Sequence, residues 1–302
     1  MAEIIKHKKE APLVGLVGMG GGLTGFGLVG PGVTPPGQAN YADGHSGSYS
    51  WVCPPGVTSV SIVCIGGGAS GSGGSAGRGG GGGACAYKNN ITVVPGTSYS
   101  LQVGAGGQNS LNGGESWFKV SGSAVVKADY GHGYGSQNDN SGGSTSQCIG
   151  DGSYAGGQGG ISQGTHGSYG GKSGTNNGDG NGHPGASGNS NGEGPGGAGS
   201  NNGLFIGGGA GGGGTLGGYT SGKGGGGGGG GNIATVTGLS ATAGQGGNWT
   251  HAGDGGRWGG GGGAAALAGH PSYTVGDGGH GAVRIVWPGD TKSFPATDVG
   301  DD

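Results

Sequence analysis

The residues most suited to binding chemistry lie in one short segment, 248–258 (NWTHAGDGGRW), which sits between glycine runs. Tryptophan, tyrosine and arginine carry much of the binding energy at protein interfaces. We therefore expect a recognition surface there, joined by similar short aromatic insertions elsewhere in the glycine-rich part. A second interpretation stays open: these side chains cover exposed flanks or fill a subunit interface. The candidate receptor-binding residues are Phe205, Tyr219, Trp249, His251, Arg257, Trp258 and Tyr273.

Catalytic and cofactor motifs are not apparent in the sequence. Its eight histidines and fifteen carboxylates are dispersed. There is no His-Glu-x-x-His, and the phosphate-loop-like stretch 217–223 is followed by Gly224, where a magnesium-binding hydroxyl is required. We expect no enzyme activity, no cofactor and no metal site.

The four cysteines lack the spacing of a zinc site. They allow three complete disulfide pairings, among which the sequence does not choose. Cys64 and Cys85 lie in apolar, strand-like runs, which favours buried free thiols. The remaining two are Cys53 and Cys148.

The composition excludes several classes of protein. Glycine accounts for 96 of 302 residues, but the 12 prolines are far fewer than collagen needs. The 12 lysines and arginines are scattered and the net charge is −3, so no basic stripe exists for nucleic acid. No glycine-free apolar run of about 20 residues is present, so we expect no membrane insertion.

Short runs with alternating polarity predict a small β-sandwich or jelly-roll-like domain with little or no α-helix. In the segment 57–65 (VTSVSIVCI), Val60, Ile62 and Cys64 fall on one face. The last run, Ala282–Trp287, should pair with the earlier strands, with Val283 and Ile285 buried and Arg284 on the opposite face. The other candidate strands are 48–54, 84–94, 98–103, 116–120 and 124–130.

Residues 131–280 have a different composition, with 61 glycines in 150 positions. A hydrophobic core cannot be built from such a segment, so backbone hydrogen bonds must stabilise any order there. Polyglycine II has three residues per turn, and glycine at every third position presents a bare face to a neighbour. We expect a stack of left-handed polyglycine-II helices inserted before the last strand. A flexible linker is the alternative.

The domain organisation follows from these segments. Residues 1–45 contain three early lysines and an uncharged stretch, but their glycine density opposes the helix of a signal peptide. We expect an extended anchoring arm there, followed by a β-sandwich of residues 46–130 plus 281–288. The polyglycine-II region spans 131–280, and 289–302 form a C-terminal tail.

The block 51–107 (WVCPPGVTSVSIVCIGGG, then two strand-like runs ending in VGAGG) resembles a glycine-rich β-domain of tailed-phage tail and fibre proteins. The ending 279–298 (GHGAVRIVWPGDTKSFPATD) is similar to that of glycine-rich virion proteins from phages of marine cyanobacteria. In composition and architecture the chain is also similar to polyglycine adhesins at tail-fibre tips.

These resemblances imply a virion structural protein of the tail or tail fibre that contributes to host-surface recognition. The implied partners are other virion subunits, through residues 1–45, and a host-surface glycan or outer-membrane protein. The protein would be oligomeric in the particle, assembled in the host cytoplasm and extracellular in the free virion. The alternative is a purely architectural protein, a capsid decoration or a self-assembling extracellular fibre, without a receptor.

Overall fold

The computed structural model describes nine β-strands and one short 3-10 helix, with no α-helix among the described residues. All of these elements belong to one compact unit, Thr34–Asp302. The described residues are 36–42, 45–73, 77–134, 140–161, 168, 170–171, 174, 252–264 and 274–294.

The strands form two antiparallel sheets, as the alternating sequence pattern predicts. One sheet has the order β1-β9-β3-β4-β8 and the other the order β2-β5-β6-β7. The 3-10 helix, Thr145–Gln147, precedes β8. The strands are Gly37–Tyr41 (β1), Gly47–Val52 (β2), Ser59–Ile65 (β3), Cys85–Thr92 (β4), Ser98–Val103 (β5), Ser116–Val120 (β6), Ser123–Ala128 (β7), Gly152–Tyr154 (β8) and Ala282–Trp287 (β9).

The main hydrophobic core lies between the two sheets. β3 contributes Val60, Ile62 and Cys64 on its inner face, which confirms the predicted alternation. The second sheet contributes aromatic rings, among which Tyr99 and Phe118 stack with centroids 5.7 Å apart. Burial of such apolar area is the main stabilising contribution in a domain of this kind.

β9 confirms the predicted long-range pairing, although more than 100 residues separate it from β8. It pairs with β3 on one side and with β1 on the other. Val283 and Ile285 enter the main core. Arg284 lies on the opposite face, fully buried, and its Nη2 donates to Gln38 Oε1 at 2.8 Å.

The outer face of the first sheet is also covered. Val63 and Ile65 of β3 pack there with Trp258 and Phe294 in a second, smaller cluster. β3 is therefore buried on both faces, as a central strand is when layers pack on either side.

Two boundaries predicted from the sequence differ from the structure. Gly37–Tyr41, assigned to the anchoring arm, form β1 and pair with β9, which would otherwise be an exposed edge of its sheet. Gly152–Tyr154, assigned to the polyglycine region, form β8 and pair with β4. Residues 1–35 lie outside the described part of the chain.

Beyond the sheets, segment 66–72 donates its backbone N–H groups to three neighbouring segments in strict rotation. The partners repeat every third residue, and the distances are 2.8–3.2 Å. The first set of N–H groups, Gly66, Ala69 and Ser72, donates to segment 78–84, at Ala84, Gly81 and Arg78 respectively. The second set, Gly67 and Ser70, donates to segment 104–114, at Gly114 and Leu111 respectively. The third set, Gly68 and Gly71, donates to Gly279 and Gly276 respectively.

Segment 78–84 shows the same three-residue rotation and is surrounded on all sides. It donates to three segments and accepts from three others. Neither this segment nor 66–72 contains a residue with positive φ, and the period of three with negative φ is that of left-handed polyglycine II. The segments 129–132, 157–160 and 259–262 accept hydrogen bonds from 78–84. The segment 66–72, Gly143, and the pair Gly171 and Gly174 donate hydrogen bonds to it.

This stack confirms the predicted lateral hydrogen bonding, but its composition differs from the prediction. Segments 66–72, 78–84 and 104–114 were assigned to the β-domain, yet they belong to the stack, where 66–72 and 78–84 lie inside it and 104–114 runs out to the exposed turn at 108–111. Described parts of 131–280 pack around them. Residues 175–251 lie outside the described part.

Glycine is required where the segments touch. A Cβ at Gly81 would overlap the carbonyl oxygen of Ser141, and one at Gly83 would overlap that of Gly66. Neither overlap involves a flexible side chain that could move aside. At Gly73, by contrast, a Cβ would lie 3.7 Å from Val275 Cγ1, an ordinary van der Waals distance.

We expect Gly81→Ala to destabilise the protein by about 1–3 kcal/mol, because the added methyl group forces hydrogen-bonded segments apart. The matched change Gly73→Ala should be neutral, or stabilising by about 0.4–1 kcal/mol through the unfolded chain. Urea unfolding of both variants provides the measurement. Equal free energies of unfolding would contradict close packing in the stack.

Candidate functional site

The candidate receptor-binding residues fall mostly outside the described part of the chain. This applies to Phe205, Tyr219, Trp249, His251 and Tyr273. The structure describes only Arg257, which is exposed, and Trp258.

Trp258 is a core residue and does not present a surface for a receptor. Its side chain is 1% exposed, and its Nε1 donates to the carbonyl oxygen of Ala42 at 2.9 Å. The chain turns here with positive φ at Trp258 and Gly259, and the indole packs on the outer face of the first sheet. A buried indole with a satisfied N–H is typical of structural tryptophans.

The stack instead gathers several chain connections at its end remote from the sheets. Segment 66–72 leaves β3 and segment 78–84 returns to β4, so Ser72 and Arg78, joined by a hydrogen bond from Ser72 N–H to the carbonyl oxygen of Arg78 at 2.8 Å, lie at this end. Leu111 bonds there to Ser70, and Ile161 forms a bridge with Arg78. Loops supported by a rigid scaffold are the usual place for binding residues.

Three large apolar side chains are exposed at this end. Leu111 is 64% exposed, Tyr134 49% and Ile161 43%. Tyr134 lies near Leu111, because the N–H of the preceding Gly133 donates to Oδ1 of Asn112 at 2.7 Å. We call Leu111, Tyr134, Ile161 and the exposed Gln108 and Asn109 the far-end surface.

Hydrogen bonds hold the far-end surface in place. The turn at 108–111 is closed by Leu111 N–H donating to the carbonyl oxygen of Gln108 at 3.0 Å, with positive φ at Asn109 and Ser110. Ser110 Oγ donates to the carbonyl oxygen of Gly71 at 3.3 Å. Arg78 Nη1 donates to Asn140 Oδ1 at 3.1 Å. The surface is thus presented by fixed backbone.

Burial disfavours the thiolate form of the cysteines. All four are free thiols, which settles the open pairings, and Cys64 and Cys85 are fully buried as predicted. Burial raises the pKa of Cys64 and of Cys85, and it raises the pKa of Cys148 to about 11. These three thiols therefore stay protonated at neutral pH.

His280 links two segments of the stack. Its Nδ1 accepts a hydrogen bond from Gly106 N–H at 2.9 Å, so this nitrogen must be unprotonated. Burial, and then the nearby His45, lower the pKa of His280, while Asp277 opposes the shift. The described residues meet the requirements of neither a metal site nor a membrane-spanning helix. Among them, no group of three or more potential ligands could hold a metal ion. None of the described elements is a helix that could cross a membrane.

The fold and its surface define a class of protein: a β-sandwich whose strands continue into a polyglycine-II stack that presents loops at one end. A family model described as a glycine-rich domain matches residues 43–288, and the chain belongs to that family. No curated protein matches the chain.

Sequence reasoning missed the far-end surface. Leu111 and Ile161 are single apolar residues among asparagine, serine, glutamine and glycine, and Tyr134 ends the glycine-spaced run 130–134 (YGHGY). The isolation of Leu111 and Ile161 was the signal that could have predicted their exposure, because a large side chain within a glycine-rich connection has little hydrophobic core to enter.

We expect Trp258→Ala to cost about 3–5 kcal/mol of unfolding free energy, because it removes a buried indole and leaves a cavity. Trp117→Ala is the control, since this indole is half-exposed and packs under Lys119 Nζ at 4.1 Å from its ring centroid. Chemical denaturation checks both variants. Similar midpoints would contradict the core assignment of Trp258.

Stability should fall as the pH drops from about 7.5 to about 5.5, through the ordinary histidine pKa of about 6.5. Folding lowers the pKa of His280, so as the pH falls the unfolded chain binds a proton before the folded chain does. The stability that the unprotonated imidazole contributes above the ordinary histidine pKa is therefore lost as the pH drops. His280→Asn keeps an acceptor for Gly106 and does not titrate. Its unfolding free energy should depend less on pH than that of the wild type, and identical pH dependence would contradict the assignment.

Proposed function

We propose that this chain is a structural protein of the tail or tail fibre of a tailed phage and contributes to host-surface recognition. The observation that carries the proposal is the stack itself, a rigid body anchored on the sandwich with its connections gathered at one remote end. The tail- and fibre-like sequence of 51–107 and the virion-like ending of 279–298 support the same assignment.

Backbone hydrogen bonding in the stack allows the loop sequences of a recognition surface to change. The segments are held by backbone hydrogen bonds, so their stability does not depend on the side chains in the connections. Loop residues can therefore change to follow a receptor while the supporting body stays intact. An exposed tyrosine with neighbouring aliphatic side chains provides the apolar contacts that binding surfaces favour.

In this proposal the chain is not an enzyme, and it binds neither nucleic acid nor cofactor. Within the segment 1–45, the residues that precede β1 contact other virion subunits, whereas β1 itself pairs with β9 in the sandwich. The receptor is a host-surface glycan or an outer-membrane protein. The chain is oligomeric in the particle and extracellular once the particle is released.

Cell binding by the purified chain tests this function. The far-end variant carries Leu111→Ser, Tyr134→Ala and Ile161→Ser, and we expect it to bind host cells at least about tenfold more weakly, as for loss of interface anchors. The matched control carries Val52→Ser and Val94→Ser, two exposed side chains at the opposite end of the sandwich. That control should bind like the wild type.

Two outcomes would overturn recognition. One is the absence of any binding to host cells, and the other is equal binding by the far-end and control variants. Immunogold labelling of intact particles then locates the chain, and a regular lattice of label along a capsid or filament would support the purely architectural alternative.

A further inference from the structure

A polar groove of about 760 Å³ lies on the flank of the stack, where β7 continues into segment 129–132. Its other walls are the segment 141–147, which includes the 3-10 helix, and residues 155–158. The volume falls within the range of small-ligand sites, about 300–1,000 Å³. The side chains with hydrogen-bonding capacity include Glu115, Asp129, Tyr130, His132, Gln147 and Gln158.

The floor of the groove is a fixed carboxylate beside an imidazole. Asp129 is 2% exposed, and its Oδ2 accepts the N–H of Ser144 at 2.8 Å. The same oxygen lies 3.8 Å from Nε2 of His132. The ring of His132 packs against Tyr130 with centroids 4.9 Å apart. These contacts hold the polar groups in place before any ligand arrives.

Among the residues that line the groove, one carboxylate has no cationic partner. Glu115 Oε1 pairs with Lys127 Nζ at 2.8 Å, so only Asp129 contributes an unbalanced negative charge, next to His132. A phosphate, sulfate or carboxylate ligand would meet the Asp129 carboxylate and be repelled. The rim adds the hydroxyl groups of Ser144 and Ser146, 2.8 Å apart, and two amide side chains. Hydroxyls and amides both donate and accept, which matches a ligand rich in hydroxyl groups.

We propose that this groove binds a neutral saccharide of one or two rings. The carboxylate of Asp129 accepts from sugar hydroxyls, and charge-assisted bonds of this kind are the stronger ones. Gln147 and Gln158 bond the hydroxyls at the rim. The inference rests on the proposed function, since it identifies the host-surface partner as an uncharged glycan.

Titration calorimetry of the full chain tests the groove directly. The probes are methyl α-glucoside, methyl α-galactoside and N-acetylglucosamine, with glucuronate and glucose 6-phosphate as charged counterparts. We expect at least one neutral probe to bind with a Kd of about 10 mM or tighter, and the charged counterparts to bind at least about tenfold more weakly.

Two variants place the binding in the groove. Asp129→Asn keeps an acceptor for Ser144 N–H, and Ser146→Trp fills the rim from an exposed position. Each should weaken binding of the neutral probe at least about tenfold. Ser123→Trp, also at an exposed position but in the β6–β7 hairpin, is the matched control and should bind like the wild type.

The groove assignment is overturned if no neutral probe binds, or if binding survives both Asp129→Asn and Ser146→Trp. If Ser146→Trp leaves cell binding intact while the far-end variant abolishes it, the role of the groove in host attachment is overturned, and attachment then stands on the far-end surface alone. Saccharide binding in solution without any cell binding supports the groove and overturns only the attachment function.

Discussion

The constraint on which the structure depends is lateral hydrogen bonding between extended segments too close together to admit a Cβ. Every third N–H of 66–72 faces the same neighbour, so each segment bonds to several others at once. Backbone groups that would otherwise be buried without partners are thereby satisfied. This replaces the apolar core that a glycine-rich chain cannot build, and it makes glycine at the contacts a steric requirement.

The sandwich and the stack are continuous, because strands of the sandwich run directly into segments of the stack. β3 runs into 66–72, segment 78–84 runs into β4, and segment 129–132 continues β7. The hydrophobic core fixes the strand register, and the strands deliver the glycine segments already aligned. Conformational entropy is highest for glycine, so this alignment by the sheets lowers the cost of ordering the stack.

The sequence predicted those parts that side chains encode. Alternation in 57–65 identified a strand and its inner face, and the apolar run 282–287 could be paired because a lone strand would be an exposed edge. Which glycine segments touch could not be predicted, because a glycine run has no side chains to specify a partner. The prediction of Trp258 as a receptor-binding residue was wrong. Its proximity in sequence to another tryptophan suggested a recognition surface, whereas a turn with positive φ places its side chain in the core.

The same steric constraint determines where chemistry can occur on this protein. Segment 78–84 is surrounded on all sides, and between its ends it contains only glycine. Segment 129–132 lies on the flank, so Gly131 faces the interior while Asp129 and His132 line the groove. Within 78–84, the side chains are thus confined to the two ends, Arg78 and Ala84. The groove lies on a flank of the stack and the far-end surface lies at one end, where the packing of the segments leaves room for side chains.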